Sequence, residues 1–434
     1  MKKGNDINRR RLIGDWQMLC QRIGERLAGT QSELRAATYI EKSFKGAGLQ
    51  DVRMENFPCT SLQWANTKVE TQHGRRWSSV PSRSLVGAPA TPGGMAVEGE
   101  MQWLEMPENA VRLKRGSLRG RIAVIFGPLP TVQSHHRALV AAAPAAVIHV
   151  DDRLPFNWPK SDGVYPLWVR RYGMPTTVTV PYTAAWAWRR MGVHRARVQV
   201  QVEQVTGISQ NVIGVLPGRD PRLSEVIMMA HHDTQSGNPG ADDNASGVVC
   251  ILELARLLSG RSHRRTLRFI SFGTEEQLSV GSAAYVERHR AEMKNTGLVI
   301  NFDSVASHLG HFELSCIGSE MLARYAVKAL ALRGLDVGLR TEITPFLDNF
   351  PFNRAGVPSW AFFRSNFPGG RWQHHSPRDT LENVSVDKII QLLTAVAPVV
   401  KRLAEQALWP FSRGISAAQR ITAQQLGREL YGFR

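Results

Sequence analysis

The sequence predicts an α/β fold, a mostly parallel mixed sheet flanked by helices, with a small β-rich insertion ahead of it. Two observations carry this reading. From Gln210 onward, short apolar runs alternate with helical patterns of about 10–15 residues, the order that produces parallel strands covered on both faces. Between about residues 80 and 205, Pro and Gly become frequent and short β-like runs alternate with turns. A chain of 434 residues has room for two domains and a large core.

Taken in order, residues 12–48 carry Leu12, Trp16, Leu19, Ile23 and Leu27, then Leu34, Ala37, Ile40 and Phe44, at helical spacing, which predicts two helices around Gly29-Thr30. A strand is expected at 51–57. This opening reads as structural support, with no cluster of catalytic residue types. Within the insertion, strands are expected at 120–126, 146–150 and 177–180, with helices at 137–143 and 184–191. The order of GRIAVIF, helix, AAVIHV and TVTVPY resembles the protease-associated domain, a small module often inserted into peptidases. His135, His136 and His149 lie there without partnering carboxylates and read as surface and core histidines. In the α/β part, strands are expected at 211–216, 226–230, 266–272, 298–302, 312–316 and 358–363. The helices between and after them fall at 246–258, 281–289, 320–332 and 386–408, and an amphipathic tail at 415–430 packs on the surface. The expected domains are therefore 1–78 and 206–410 as one catalytic body, 79–205 as the insertion and 411–434 as the tail.

Fifty-four Lys and Arg against 37 Asp and Glu give a net charge of +17, which raises nucleic acid or an anionic membrane surface as a partner. The basic residues are scattered and no nucleic-acid motif accompanies them, so a solvated basic surface and no nucleic-acid partner are expected. Cys20, Cys59, Cys250 and Cys316 are widely spaced, which points to neither a zinc knuckle nor a disulfide framework. No apolar run reaches the length of about 18 residues that a membrane span needs. Asp15 and Gln17 interrupt what would be the apolar stretch of an export signal, so a cytoplasmic location is the default expectation and an exported form stays open.

The chemistry collects at strand ends. His231 and Asp233 follow the apolar run Val226–Ala230, Asp243 lies in the Gly-rich loop beyond it, Glu275-Glu276 end TLRFISFGT, Asp303 ends LVINF, and His375 opens HSPRDT. Open α/β sheets bind ligands at the carboxyl ends of their strands. Two adjacent carboxylates at a buried strand end repel unless a proton or cation neutralises one, which points to metal binding and general-base work. There is no GxSxG elbow, no Cys paired with His and no phosphate-binding GxxxxGK[ST] to offer a competing chemistry.

The segments AHHDTQSGNPGADDNASG, SFGTEEQLSVGSAAYV, INFDSVAS and HHSPRDT, in that order and spacing, resemble the M28 family of zinc aminopeptidases and carboxypeptidases over roughly residues 211–408. The resemblance implies the phosphorylase/hydrolase-like zinc peptidase fold, a peptide substrate and two Zn2+ per chain. By the same resemblance Asp243 bridges the ions, His231 and Asp303 complete one, and Glu276 and His375 the other. Glu275 is then the general base that activates the metal-bridged water of a terminal peptide-bond hydrolysis, Asp233 orients the imidazole of His231, and a cis peptide is expected at Asp243-Asn244. His374 stands where many members carry an oxyanion-stabilising Tyr. Asp348-Asn349 stands where the family often has Asp-His. His232 and Asp242 are expected to be bystanders, His308 and His311 to be loop residues, and Arg364 and Arg371 could bind a substrate carboxylate. The leading reading is a di-zinc exopeptidase, most simply an aminopeptidase. The alternatives are a glutaminyl-cyclase-like acyltransferase, which lacks the first histidine ligand, and a catalytically inactive binding module on the same fold.

Overall fold

The structure is a computed structural model that describes residues 6–105, 113–126, 132–151, 157–160, 162–365 and 373–433. The chain divides into two compact units, Thr60–Thr206 and the pair of segments Met1–Cys59 and Gly207–Arg434. The boundaries expected from the sequence are 78/79 and 205/206. The first cannot be seen in composition, because it falls inside an uninterrupted strand, Gln50–His73, with no Pro- or Gly-rich linker to mark it.

The smaller unit holds the end of β1 (Gln50–His73), β2 (Arg76–Val80), β3 (Arg83–Ser84), β4 (Val97–Glu105), β5 (Arg121–Phe126), β6 (Ala146–Val150), β7 (Thr177–Val180) and the start of β8 (Arg195–Leu216). Within it the strand order is β8-β4-β5-β6-β7-β3. The central pairs β4-β5, β5-β6 and β6-β7 are parallel. Continuous apolar runs are what two-sided burial demands, and Ile122, Val124, Ile148, Val178 and Val180 are wholly buried. The helix Tyr182–Met191 covers them with Ala185 and Trp188. The expected helix at 137–143 is found at Gln133–Ala142, and a further helix, Pro166–Tyr172, escaped sequence reading because seven residues carry too little periodicity.

The larger unit is built on the end of β8 together with β9 (Glu225–His231), β10 (Leu267–Phe272), β11 (Thr296–Phe302), β12 (His311–Ile317), β13 (Gly338–Arg340) and β14 (Ser359–Ser365). Their order is β13-β12-β14-β11-β9-β10-β8. The four central strands β10, β9, β11 and β14 run parallel; β12 and the end of β8 run against their neighbours β14 and β10. Side chains of β9 alternate between faces. Val226, Met228 and Ala230 enter a core shared with the helices Arg9–Gln17, Gln31–Gly46, Gly247–Leu258 and Val386–Glu405. Ile227 and Met229 enter a second core with Tyr285 of the helix Val280–Arg288 and Phe352. Because β9, β10 and β11 are parallel and adjacent, His231, the Gly273-Thr274-Glu275 turn and Asp303 leave the sheet at one edge.

The tail forms the helix Ala417–Leu426, capped by Ser416 and Gln419. Tyr431 donates to the Pro345 carbonyl at 2.6 Å and stacks 5.1 Å from Phe350. All four cysteines are buried and unbridged. Among the described residues no helix is long and apolar enough to cross a membrane.

Candidate metal centre

Among the described residues, five of the seven non-glycine residues with positive φ lie in the loops that carry the candidate donors: Thr274, Leu278, Ser279, Ser304 and His375. Such backbone is uncommon and persists where surrounding structure over-determines it, typically at functional sites. The loop 241–246 departs from helical geometry at Asp243 and Asn244, and the Asp243-Asn244 peptide is cis, as the resemblance implied. Asn244 then ties the loop to β11: its side chain donates to the Phe302 carbonyl at 2.8 Å and accepts from Gly247 and Ser304 N–H groups at 2.9 and 3.2 Å. Gly247 is required by close approach, since a Cβ there would meet the Phe302 carbonyl oxygen at 2.1 Å.

The side chains converge on Asp243. His231 Nε2 lies 3.2 Å from Asp243 Oδ1, 3.9 Å from Glu275 Oε2 and 4.0 Å from Asp303 Oδ2. On the other side, Asp243 Oδ2 lies 2.9 Å from His374 Nε2 and 3.5 Å from His375 Nε2, and His375 Nε2 lies 2.9 Å from Glu276 Oε2. Two groups therefore have donor atoms close enough to share an ion, His231-Asp243-Asp303 and Asp243-His374-His375, with Asp243 common to both. All eight residues singled out in the sequence are thus brought together. The donor set is also incomplete as protein chemistry: His231 Nε2 and Glu276 Oε1 are buried with no hydrogen-bond partner, which is costly unless something coordinates them. Imidazole and carboxylate are the donors divalent zinc takes, so the residues fit that ion.

Electrostatics agree. Burial alone would lower the His231 pKa, but the carboxylates of Asp233 and Asp243 outweigh it and raise it well above the ordinary value. Burial pushes the Glu275 carboxyl well up, opposed by His231 and reinforced by Asp348, Asp303 and Glu276; burial raises Glu276 too, against the pull of His375. So many buried like charges require cations or protons to balance them.

The side chain of Asp233 sits with Oδ1 3.4 Å from His231 Nδ1, and it also accepts the Glu275 and Glu276 N–H groups at 2.9 and 3.1 Å, a task the sequence did not reveal. His232 bonds Ser271 Oγ through Nδ1 at 3.0 Å, and burial drives its pKa down to about 3; it stays neutral and outside the donor groups. Asp242 is not idle: it accepts from the Ala306 N–H and the Ser307 hydroxyl, both at 2.8 Å, fastening the loop after Asp303. Arg364 is buried and spends its guanidinium on the Ser307 and Gly310 carbonyls at 2.9 and 2.7 Å, while Arg371 lies outside the described residues. His311 is exposed against Glu313, and His308 is exposed.

The opening segment proves to be more than support. Arg26, wholly buried, donates to the His232 carbonyl at 2.7 Å, Pro239 at 2.7 Å and Gly240 at 3.0 Å. Glu33, also wholly buried, accepts from the Gly29 N–H and Ser209 Oγ at 2.6 and 2.7 Å. Burial, with Asp233 nearby, raises Glu33 to about 8. A carboxyl whose folded pKa exceeds its unfolded value favours the fold at low pH, and that contribution is lost as pH rises from about 4.5 to 8. In the metal-free protein, Glu33→Gln should therefore match wild type in urea unfolding at pH 5 and exceed it at pH 9 by on the order of 3 kcal/mol; equal curves at both pH values would refute the assignment.

The structure is a mixed α/β fold with a buried cluster of His, Asp and Glu side chains beyond the strand ends that could hold a divalent metal. Residues 211–400 match the model of Peptidase family M28. The chain is 25% identical to Aminopeptidase YwaD of Bacillus subtilis over 410 residues, 88% of this chain and 83% of that one. It is 22% identical to Carboxypeptidase Q of Xenopus laevis over 83% of this chain and 78% of that one. Among solved structures, BSAP, a zinc aminopeptidase from Bacillus subtilis, superposes with a TM-score of 0.74 at 21% identity, covering 96% of this chain and 99% of that one. The mixed α/β fold is the fold of those enzymes.

Proposed function

We propose that this protein is a di-zinc exopeptidase, in the first instance an aminopeptidase, that hydrolyses the terminal bond of unblocked peptides. The observation that carries the reading is the pair of donor groups sharing Asp243. His231, Asp243 and Asp303 would hold one ion, and Asp243 and His375 the other, with Glu276, whose Oε2 lies 2.9 Å from His375 Nε2, as its third ligand in preference to His374. Bound zinc polarises a peptide carbonyl and makes water acidic enough to attack near neutral pH. Glu275 takes a proton from the attacking water and delivers it to the leaving amine nitrogen, a role suited to a carboxyl whose pKa burial has raised. Asp233 holds the His231 ring and fixes the backbone of Glu275, so the base and one ligand keep a constant separation. His374, with Nε2 2.9 Å from Asp243 Oδ2, donates a hydrogen bond at the place of the family's Tyr.

The similarity to Aminopeptidase YwaD favours the amino end, and that to Carboxypeptidase Q keeps the carboxyl end as a second reading. Arg364, committed to two backbone carbonyls, weighs against a carboxylate clamp at that position. His231 weighs against the glutaminyl-cyclase-like alternative, and the full donor set against an inactive module. A panel of free peptides incubated with zinc-loaded protein and read by mass spectrometry should show stepwise loss from the amino end and none from amino-acetylated peptides. Trimming from the carboxyl end, or only cyclisation of amino-terminal Gln, would overturn the proposal.

A further inference from the structure

Asp379 has no role in the scheme above, yet it is buried beside the shared ligand, at 1% exposure. Both of its oxygens are occupied by backbone: Oδ1 accepts the Asp242 N–H at 2.6 Å and Oδ2 the Asp243 N–H at 2.9 Å. Its own carbonyl accepts the Ala241 N–H at 3.0 Å. Asp233 makes the same pattern at the other half of the site, taking two consecutive N–H groups of Glu275 and Glu276. Each half of the centre thus has one buried carboxylate that grips two successive peptides, one of which carries a candidate ligand.

We infer that Asp379 is a positioning residue for the centre: a backbone clamp that sets the depth and tilt of the Asp243 carboxylate between the two donor groups. The inference rests on the metal-site reading. Three observations support it. Asp243 and Asn244 depart from helical φ and ψ, so the N–H groups at the start of this turn need acceptors from elsewhere, and a carboxylate supplies two on one rigid plane. Placing a further acid beside Asp242 and Asp243 adds like-charge repulsion and desolvation cost, which a purely structural acceptor such as a backbone carbonyl would avoid. The opposite flank of the same loop is fixed as well, by the Arg26 guanidinium on the Pro239 and Gly240 carbonyls. The loop carrying the shared ligand is therefore gripped from both sides.

Asp379→Asn removes one acceptor oxygen and turns an amide N–H toward the second backbone donor. Zinc affinity is measured by competition with a chromophoric chelator, and the cobalt(II)-substituted protein by its visible absorption. The expected result is a folded variant whose weaker site loses at least tenfold in zinc affinity and whose cobalt bands shift. Glu253→Gln, at an equally buried acid paired with Arg11, should lower Tm and leave both metal readouts unchanged. Should Asp379→Asn not fold, Asp379→Glu keeps both oxygens one methylene further on and should bind zinc more weakly with the same stoichiometry. Wild-type zinc affinity and cobalt spectrum in either folded variant would overturn the inference alone. A wild-type chain that takes up no zinc would overturn the metal-site reading, and this inference with it.

Discussion

Glu275→Gln should retain the zinc content of wild type and lose about 10²–10⁴-fold in kcat, with KM little changed. Gln is nearly isosteric, and the backbone that presents residue 275 is held by Asp233, not by the side chain it would lose. Among the described residues Glu275 Oε1 receives one long bond, from Ser279 Oγ at 3.4 Å, so little packing depends on its charge. What the substitution removes is a proton acceptor 3.9 Å from His231 Nε2. Removing one buried carboxylate from a cluster of like charges should also raise the Tm of the metal-free protein. A variant that sheds zinc together with its activity would show Glu275 to be a ligand and not a base.

Asp243→Asn should have the largest effect of any single substitution. Asp243 is the one residue common to both donor groups, with Oδ1 facing His231 and Oδ2 facing His374 and His375. An amide presents a single acceptor oxygen and no charge, so the two groups cease to be bridged. Zinc content should fall to one ion or fewer, and activity by at least about 10³-fold, at a pH where wild type is fully loaded. Added zinc should not restore it, whereas wild type stripped by a chelator should recover on zinc addition. Unchanged zinc content would mean that the two groups bind independently of Asp243.

The sequence disclosed His231, Glu275-Glu276 and Asp303 as candidate donors because each follows an apolar run that reads as a buried strand, and parallel strands deliver their ends to one edge, whereas Asp243 and His375 lie in loops further on. It disclosed the central strands of both units for the same reason. What it hid are residues that act through backbone partners far along the chain. Asp379 grips peptides 136 and 137 residues away, Arg26 a carbonyl 206 residues away, and Asp242 an N–H 64 residues away. Side-chain identity gives no hint of such bonds, since an isolated Asp or Arg reads equally as solvated surface. Glu33, in the helix Gln31–Gly46, reads in the same way as a first-turn acid, although it is wholly buried beside Asp233. The boundary at Cys59 was hidden because β1 passes through it without a break in pattern.

The central claim is a two-ion centre built on Asp243, and zinc stoichiometry tests it most directly. Chelator-stripped wild-type protein titrated with zinc by calorimetry, with bound metal then counted by mass spectrometry after gel filtration, should bind two ions per chain, with hydrolysis of an aminoacyl amide appearing as the sites fill. No bound zinc, or a single ion that supports full activity, would contradict it.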